Sequence, residues 1–320
     1  MPLWRNSNKY NGMARILIFR GGALGDFVLT LPAISALRHA GSNVFIELVG
    51  YPHIAEIALV SGLINHITSI DSARLASYFV PQAELSFKEK AFIQSFDVII
   101  SCLHDPDRVV RENLIQAGAG PVLSIAPQIR SGHAIDHWIK PLSQLGIYGN
   151  GRETARLDFP ISFREEGKQR LGRMGLNSNV IAIHPGSGSP KKNWPLSHFV
   201  NLAGKLEHET CGWPFFILGE ADEAIAQALK ESGLPFPVMS GCSLMEVASV
   251  LSACKGYVGN DSGITHLAAA LSIPVMALFG PTDPAVWAPR GSHVSIIYRE
   301  ISASLSGISV DDVFEQIRGW

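Results

Sequence analysis

The segment Gly259-Asn260-Asp261-Ser262-Gly263-Ile264-Thr265-His266 puts a carboxylate, a hydroxyl, a bare backbone and an imidazole within about one helical turn. A strand-like run, Lys255 to Gly259, precedes it, and a small-residue helix and a second apolar run, Pro274 to Phe279, follow. Strand, polar turn and helix start together make an anion site. The backbone N–H groups of the turn point outward, and the helix dipole favours negative charge there. The chemistry this predicts is capture of a phosphorylated small molecule at the C-terminal end of a strand, with Asp261, Ser262, Gly263 and His266 as contacts.

Two other segments have similar character. Gly21-Gly22-Ala23-Leu24-Gly25-Asp26 follows a buried-strand run, Arg15 to Arg20. Its spacing is not the dinucleotide fingerprint G-x-G-x-x-G, and Glu47 lies inside the second strand rather than at its end, which argues against a dehydrogenase. Glycines there let the chain turn sharply and a ligand come close. Asp26 opens the next helix, so it is either an N-cap or a catalytic carboxylate, and the two roles are compatible. The third segment, His184 to Pro195, combines glycines with Lys191, Lys192 and Trp194. It is either a wrap for a diphosphate or an ordinary solvated loop. Glu223 at a helix start either complements the dipole or accepts from a ribose hydroxyl.

Other constellations are weaker. His266 has no second metal ligand spaced with it. Asp105-Pro106-Asp107 resembles a metal-binding triplet only superficially. Ser262 lacks the G-x-S-x-G elbow of a serine hydrolase. His133 and His137 stand four apart, and a helix start with surface polar groups is the preferred reading. No metal and no cofactor is expected.

The elements that must position these residues follow from hydrophobic period. Strands are expected near 15–20, 44–49, 96–102, 179–183, 215–218, 256–259 and 274–279. Helices are expected from Asp26 to about Ala40 and over 53–61, 197–207, 222–231 and 244–253. Residues 103–135 break every period and read as loops. Alternating strands and helices predict parallel sheets covered on both faces. At 320 residues the chain has room for two domains. They are expected at 13–160 and 161–320, as two α/β lobes facing a cleft.

Charge excludes a basic nucleic-acid binder. Residues 1–160 hold 14 Lys and Arg against 13 Asp and Glu, and residues 161–320 hold 12 against 15. Cys102, Cys211, Cys242 and Cys254 have neither metal-ligand nor redox spacing and fit buried thiols in a reducing compartment. There is no 18-residue apolar run. Residues 1–12 are polar without a signal-peptide core, and order is expected from Met13. The expected location is the cytoplasm.

The three segments together, with Thr30-Leu31-Pro32 and Phe279-Gly280-Pro281-Thr282-Asp283-Pro284, resemble glycosyltransferase family 9, the ADP-heptose:lipopolysaccharide heptosyltransferases. The resemblance spans residues 15–290 but not 50–130. It implies the GT-B architecture of two Rossmann-like lobes, acceptor on the N-terminal one and nucleotide sugar on the C-terminal one. The last helix, 310–320, would cross back to the first lobe. It implies an inverting, metal-independent transfer of a sugar, heptose from ADP-heptose, onto a lipopolysaccharide-core or related saccharide. Asp26 then looks like the general base and Lys192 like the cation for the leaving diphosphate. Ser187, Gly188, Glu223, Cys242, Leu244, Asp261, Ser262, Gly263 and His266 look like donor contacts, adenine lying near 242–244. Gly21, Gly22 and Gly25 form the acceptor-side loop. Where characterised members can carry a threonine pair, Ser187-Gly188 stands. Alternatives are a nucleotide-sugar-binding protein without turnover and a GT-B-fold UDP-sugar epimerase. The implied acceptor is lipid-linked, so peripheral membrane contact is expected, with Arg20, Arg38, Arg74, Lys88, Lys90, Arg108 and Arg111 as the available cations.

Overall fold

The computed structural model describes residues 13–41, 43–209, 211–233, 235–300 and 305–320. The expectation about residues 1–12 lies outside them. The chain divides into two compact units. One holds the residues up to Ala23 and Leu29–Glu153, and the other holds Leu24–Val28 and Thr154–Trp320.

The first unit is built on five parallel strands: β1 (Ala14–Phe19), β2 (Val44–Gly50), β3 (His66–Ser69), β4 (Val98–Ser101) and β5 (Val122–Ser124), in the order β3-β2-β1-β4-β5. Its sheet is buried because Leu17, Phe19, Val49 and Ile99 pack against Leu75, Tyr78, Ile93 and Leu114. The second unit has six parallel strands: β6 (Val180–His184), β7 (Trp213–Ile217), β8 (Val238–Met239), β9 (Gly256–Asn260), β10 (Val275–Phe279) and β11 (Val294–Tyr298). Their order is β11-β10-β9-β6-β7-β8. Both sheets therefore have the doubly wound order, in which the chain reverses direction beside its first strand. Ligands bind at such a reversal, outside the strands' C-terminal ends. In the second unit that point lies between β6, ending at His184, and β9, ending at Asn260.

Two expectations need correction. The helix expected from Asp26 to Ala40 is two helices, Leu24–Val28 and Leu31–His39. Pro32 cannot donate to the preceding turn, so the first helix stops before it. The two pieces also part company, because Leu24–Val28 belongs to the second unit. Residues 103–135 are not only loops. They hold the Val109–Gln116 helix and β5, fixed by tertiary contacts: Asp105 accepts from Val110 N and Arg111 N, and Asn113 Nδ2 donates to Val80 O at 2.7 Å.

The last helix is Val310–Ile317. Its Val313, Phe314 and Ile317 lie in the core of the second unit with Phe199, Leu202 and Leu206. Trp194 Nε1 donates to Ile308 O at 2.9 Å just before it, and Trp320 lies against Gly256 of β9. The helix thus completes the second core. Removing its buried ring should show this. Phe314→Ala is expected to cost about 3–5 kcal/mol, read by urea denaturation, and an effect below about 0.5 kcal/mol would contradict the placement.

Candidate functional site

Asp261 directly follows β9 and is buried. Its Oδ2 accepts from Lys192 Nζ at 2.7 Å, and its Oδ1 lies 3.9 Å from His266 Nε2. The Asp261 side chain is 8% exposed and that of Lys192 32%, so the cluster is shielded on one side and open at the ammonium. Three residues from the sequence motifs thus meet at the reversal between β6 and β9.

The helix after the turn, Gly263–Ala270, starts cleanly. Ser262 is its N-cap, with Oγ accepting from Thr265 N at 3.3 Å. Thr265 is fully buried; its Oγ1 donates to Asn260 O at 2.5 Å and lies 3.0 Å from the Tyr257 hydroxyl. This hydroxyl chain requires Gly259, because a Cβ there would stand 2.2 Å from the Tyr257 oxygen. Burial pushes the Tyr257 phenol far above its usual value, so it stays neutral.

The Leu24–Val28 helix lies on that helix start. A Cβ on Gly263 would come within 2.9 Å of Leu24 Cβ, and one on Gly25 within 3.2 Å of His266 Cδ2. Gly25 therefore serves backbone approach within the second unit, and Asp26 is carried to the same helix end. Asp26 is the third residue of its helix, not the N-cap, and is half-buried. The capping alternative is set aside by this position.

The loop after β6 mixes the two roles sequence allowed. Lys192 ends a short 3₁₀ turn, Pro190–Lys192, and Lys191 is exposed. Trp194 is core rather than a ligand platform: it is fully buried against Phe199. Ser187 is an internal tie, its Oγ lying 2.6 Å from Asn193 Oδ1 and 2.7 Å from Ser189 O. Gly188 is exposed, with open space where a side chain would be. Beneath the loop the Gly186 backbone presses on the buried Asp222 carboxylate, which accepts from Gly219 N at 2.8 Å. His184 Nδ1 lies 2.9 Å from Ile217 O and 3.8 Å from Asp222. Burial holds this imidazole below its usual value despite the pull of that carbonyl and of Asp222.

Other expected site residues stand elsewhere. Glu223 is exposed on the first turn of the Glu223–Glu231 helix, next to the buried Asp222 that sequence reasoning passed over. Leu244 opens the Leu244–Ala253 helix, capped by Ser243 with Glu246. Cys242 is half-buried before it, and burial and Glu246 push its thiol up. Cys211 is half-buried too. Cys102 and Cys254 are buried as expected, the former pushed up to about 12 by burial. Gly21 and Gly22 fall in the first unit, Gly22 with φ +98°. His133 caps the Ala134–Ile139 helix through Nδ1, and His137 Nε2 pairs with Ala126 O.

Several expected membrane cations are already engaged. Arg20 is buried, donates to Thr30 Oγ1 at 2.9 Å and to Gly21 O, and covers the Trp138 ring. Arg38 donates to Leu63 O and Asn65 Oδ1, and Arg74 to Thr68 Oγ1. Arg108 and Arg111 instead line a cavity of about 740 Å³ in the first unit, at the ends of β4 and β5, with His104, Gln128 and Arg130. Arg108 takes the left-handed conformation, φ +59°, a strain that clusters at functional sites. Among the described residues no helix is long and apolar enough to cross a membrane.

Comparison with known proteins gives three findings. Residues 124–307 match the family model of glycosyltransferase family 9 (heptosyltransferase), which leaves the glycine turn at 21–26 outside. Lipooligosaccharide heptosyltransferase 2 of Haemophilus influenzae is 33% identical over 127 residues, 37% of this chain and 36% of the relative. The chain thus spans little more than a third of that relative's length. Lipopolysaccharide heptosyltransferase 1 of Escherichia coli K12 is 24% identical over 333 aligned positions, covering 95% of this chain and 99% of the relative. Among solved structures, the E. coli ADP-heptose lps heptosyltransferase II superposes with a TM-score of 0.76 at 18% identity, covering 96% of this chain and 98% of the other. That last likeness is one of fold.

The packing at the helix start yields a test. By propensity alone Ala is favoured over Gly in a helix, yet at 263 its Cβ must push Leu24 and Gly25 away. Gly263→Ala is expected to keep the fold and to lower turnover at least tenfold. A misplacement of about 1 Å can cost 10²-fold. Wild-type turnover in a steady-state assay would show that the close approach serves packing only.

Proposed function

This chain belongs to glycosyltransferase family 9 (heptosyltransferase), and on that premise we propose that it transfers a sugar from a nucleoside-diphosphate donor to a saccharide hydroxyl with inversion. The GT-B fold of two parallel-sheet Rossmann-like units supports this. The observation that carries the proposal is the meeting of Lys192, Asp261 and His266 at the β6/β9 reversal, with the Asp26 helix seated on the same helix start.

The roles follow from the bonds that change. The acceptor hydroxyl attacks the anomeric carbon while the bond from that carbon to the diphosphate oxygen breaks. Asp26 takes the hydroxyl proton. The departing diphosphate gathers negative charge, which the Lys192 ammonium and the N–H groups at Ser262–Gly263 stabilise. Asp261 holds Lys192 at that spot. Gly188, with nothing above it, leaves room for the diphosphate. Ser187 acts on the donor through the loop it ties. Glu223 takes the ribose hydroxyls, and residues Cys242 to Leu244 the base.

The donor is an ADP-sugar, heptose by family, and the acceptor a lipid-linked saccharide of the lipopolysaccharide core. The arginine-lined cavity of the first unit supports the acceptor assignment. Among the described residues none of Arg108, Arg111 and Arg130 pairs with a carboxylate, and Asp105 is spent on backbone N–H groups. Peripheral contact at the cytoplasmic face, through exposed cations such as Lys88, fits such an acceptor.

Asp26→Asn conserves shape and removes the base. Turnover should fall by roughly 10²–10⁴ with the melting temperature nearly unchanged, and near-normal turnover would remove Asp26 from the mechanism. Calorimetry checks the donor: ADP is expected to bind more tightly than UDP or GDP. Equal or tighter UDP binding would assign the protein another donor class.

A further inference from the structure

We propose that Asn260 is a positioning residue that fixes where the Lys192 ammonium stands; the proposal rests on the reading of Lys192 and Asp261 as the diphosphate site. Asn260 is the last residue of β9 and fully buried. Its Oδ1 accepts from Trp194 N at 2.9 Å, and its Nδ2 donates to Pro185 O at 2.8 Å. Pro185 and Trp194 are the two feet of the loop that carries Lys192. One carboxamide from β9 therefore pins both ends of a loop that leaves β6. Its orientation is set by its partners, since an N–H must face the oxygen and a carbonyl the NH₂.

The same residue is bound from the other side. Its carbonyl accepts from Thr265 Oγ1, so the clamp is part of the turn that presents Asp261 and Ser262. Inside the loop, Lys192 N donates to Ser189 O at 2.9 Å and Asn193 pairs with Ser187, so the arch moves as one piece. Lys192 and Asp261 follow different strands, β6 and β9. Their 2.7 Å contact depends on how the arch sits on the end of β9, and Asn260 couples both feet to the residue beside Asp261. Asp at this position would lack the donor. Ala would leave a buried N–H and a buried C=O without partners, which a loop avoids by lifting.

A residue that served folding alone would change melting and nothing else in the folded protein. Positioning makes a different prediction, a coupling to Lys192. Calorimetry with ADP on the wild type, Asn260→Ala, Lys192→Ala and the double variant reads it. Asn260→Ala should weaken ADP about tenfold when Lys192 is present and less than about twofold when it is absent. Equal weakening in both backgrounds would overturn the proposal, as would wild-type affinity in folded Asn260→Ala.

A second measurement needs no nucleotide. Acetic anhydride labels free amines, and peptide mass spectrometry reads each lysine separately. In Asn260→Ser, which keeps a polar group and is milder on folding, Lys192 should label several-fold faster than in the wild type, with Lys191 as the exposed control. An unchanged Lys192 rate at wild-type melting temperature overturns the clamp. Failure of every nucleoside diphosphate to bind the wild type, with the labelling difference intact, would strike the functional reading and leave the clamp standing.

Discussion

A carboxamide that meets no water holds the centre of the second unit together. Asn260 ends β9, and its side chain reaches across to the chain leaving β6. Parallel strands deliver both segments to the same edge of the sheet, and the doubly wound order makes them neighbours. The sheet alone does not set the height of a loop above its strand, and the buried amide does. Around it, Trp194 anchors the loop to the core, Thr265 anchors the turn, and the last helix fills the space beneath Trp194.

Charge in this region is arranged in layers. Deep under the loop lies Asp222 with His184, both buried and both engaged with backbone. Above them Asp261 and Lys192 form a pair that is open on the lysine side. The buried pair has its backbone partners already, whereas the upper pair leaves its ammonium open on one side. On the proposed reading a diphosphate would enter on that open side while Asp261 keeps the ammonium in place.

The fold was legible where burial is symmetrical. Strands β1, β2, β4, β6, β7, β9 and β10 read from sequence as apolar runs, because each lies inside a sheet with helices on both faces. The four strands missed, β3, β5, β8 and β11, are the four sheet edges. Edge strands are half-wet, so His66–Ser69 and Val294–Tyr298 are short, mix polar with apolar residues and stay partly exposed. The site divides in the same way. Asp261, Ser262 and His266 are close in sequence and were found by spacing. The work of Asn260 depends on partners 66 and 75 residues away, and Trp194 looked like a loop aromatic until its core contacts were seen. Asp26 looked like a cap because the glycines before it read as a turn, whereas the helix already starts at Leu24.

The helix Leu24–Val28 has a consequence for how the molecule is made. These five residues lie in the chain between parts of the first unit yet belong to the second. Their contact with Gly263 closes a loop that contains Leu29–Glu153 of the first unit and the second unit's own residues up to 262. Closing so long a flexible loop early would be entropically slow. Once the residues on either side of the helix are fixed in a folded first unit, only a short tether has to find its place. The second unit is then finished by a segment synthesised near the beginning, and assembly acquires an order. A chain severed between Glu153 and Thr154 would leave the C-terminal piece without the five residues that pack on Gly263, so its own contiguous segment cannot complete the second unit.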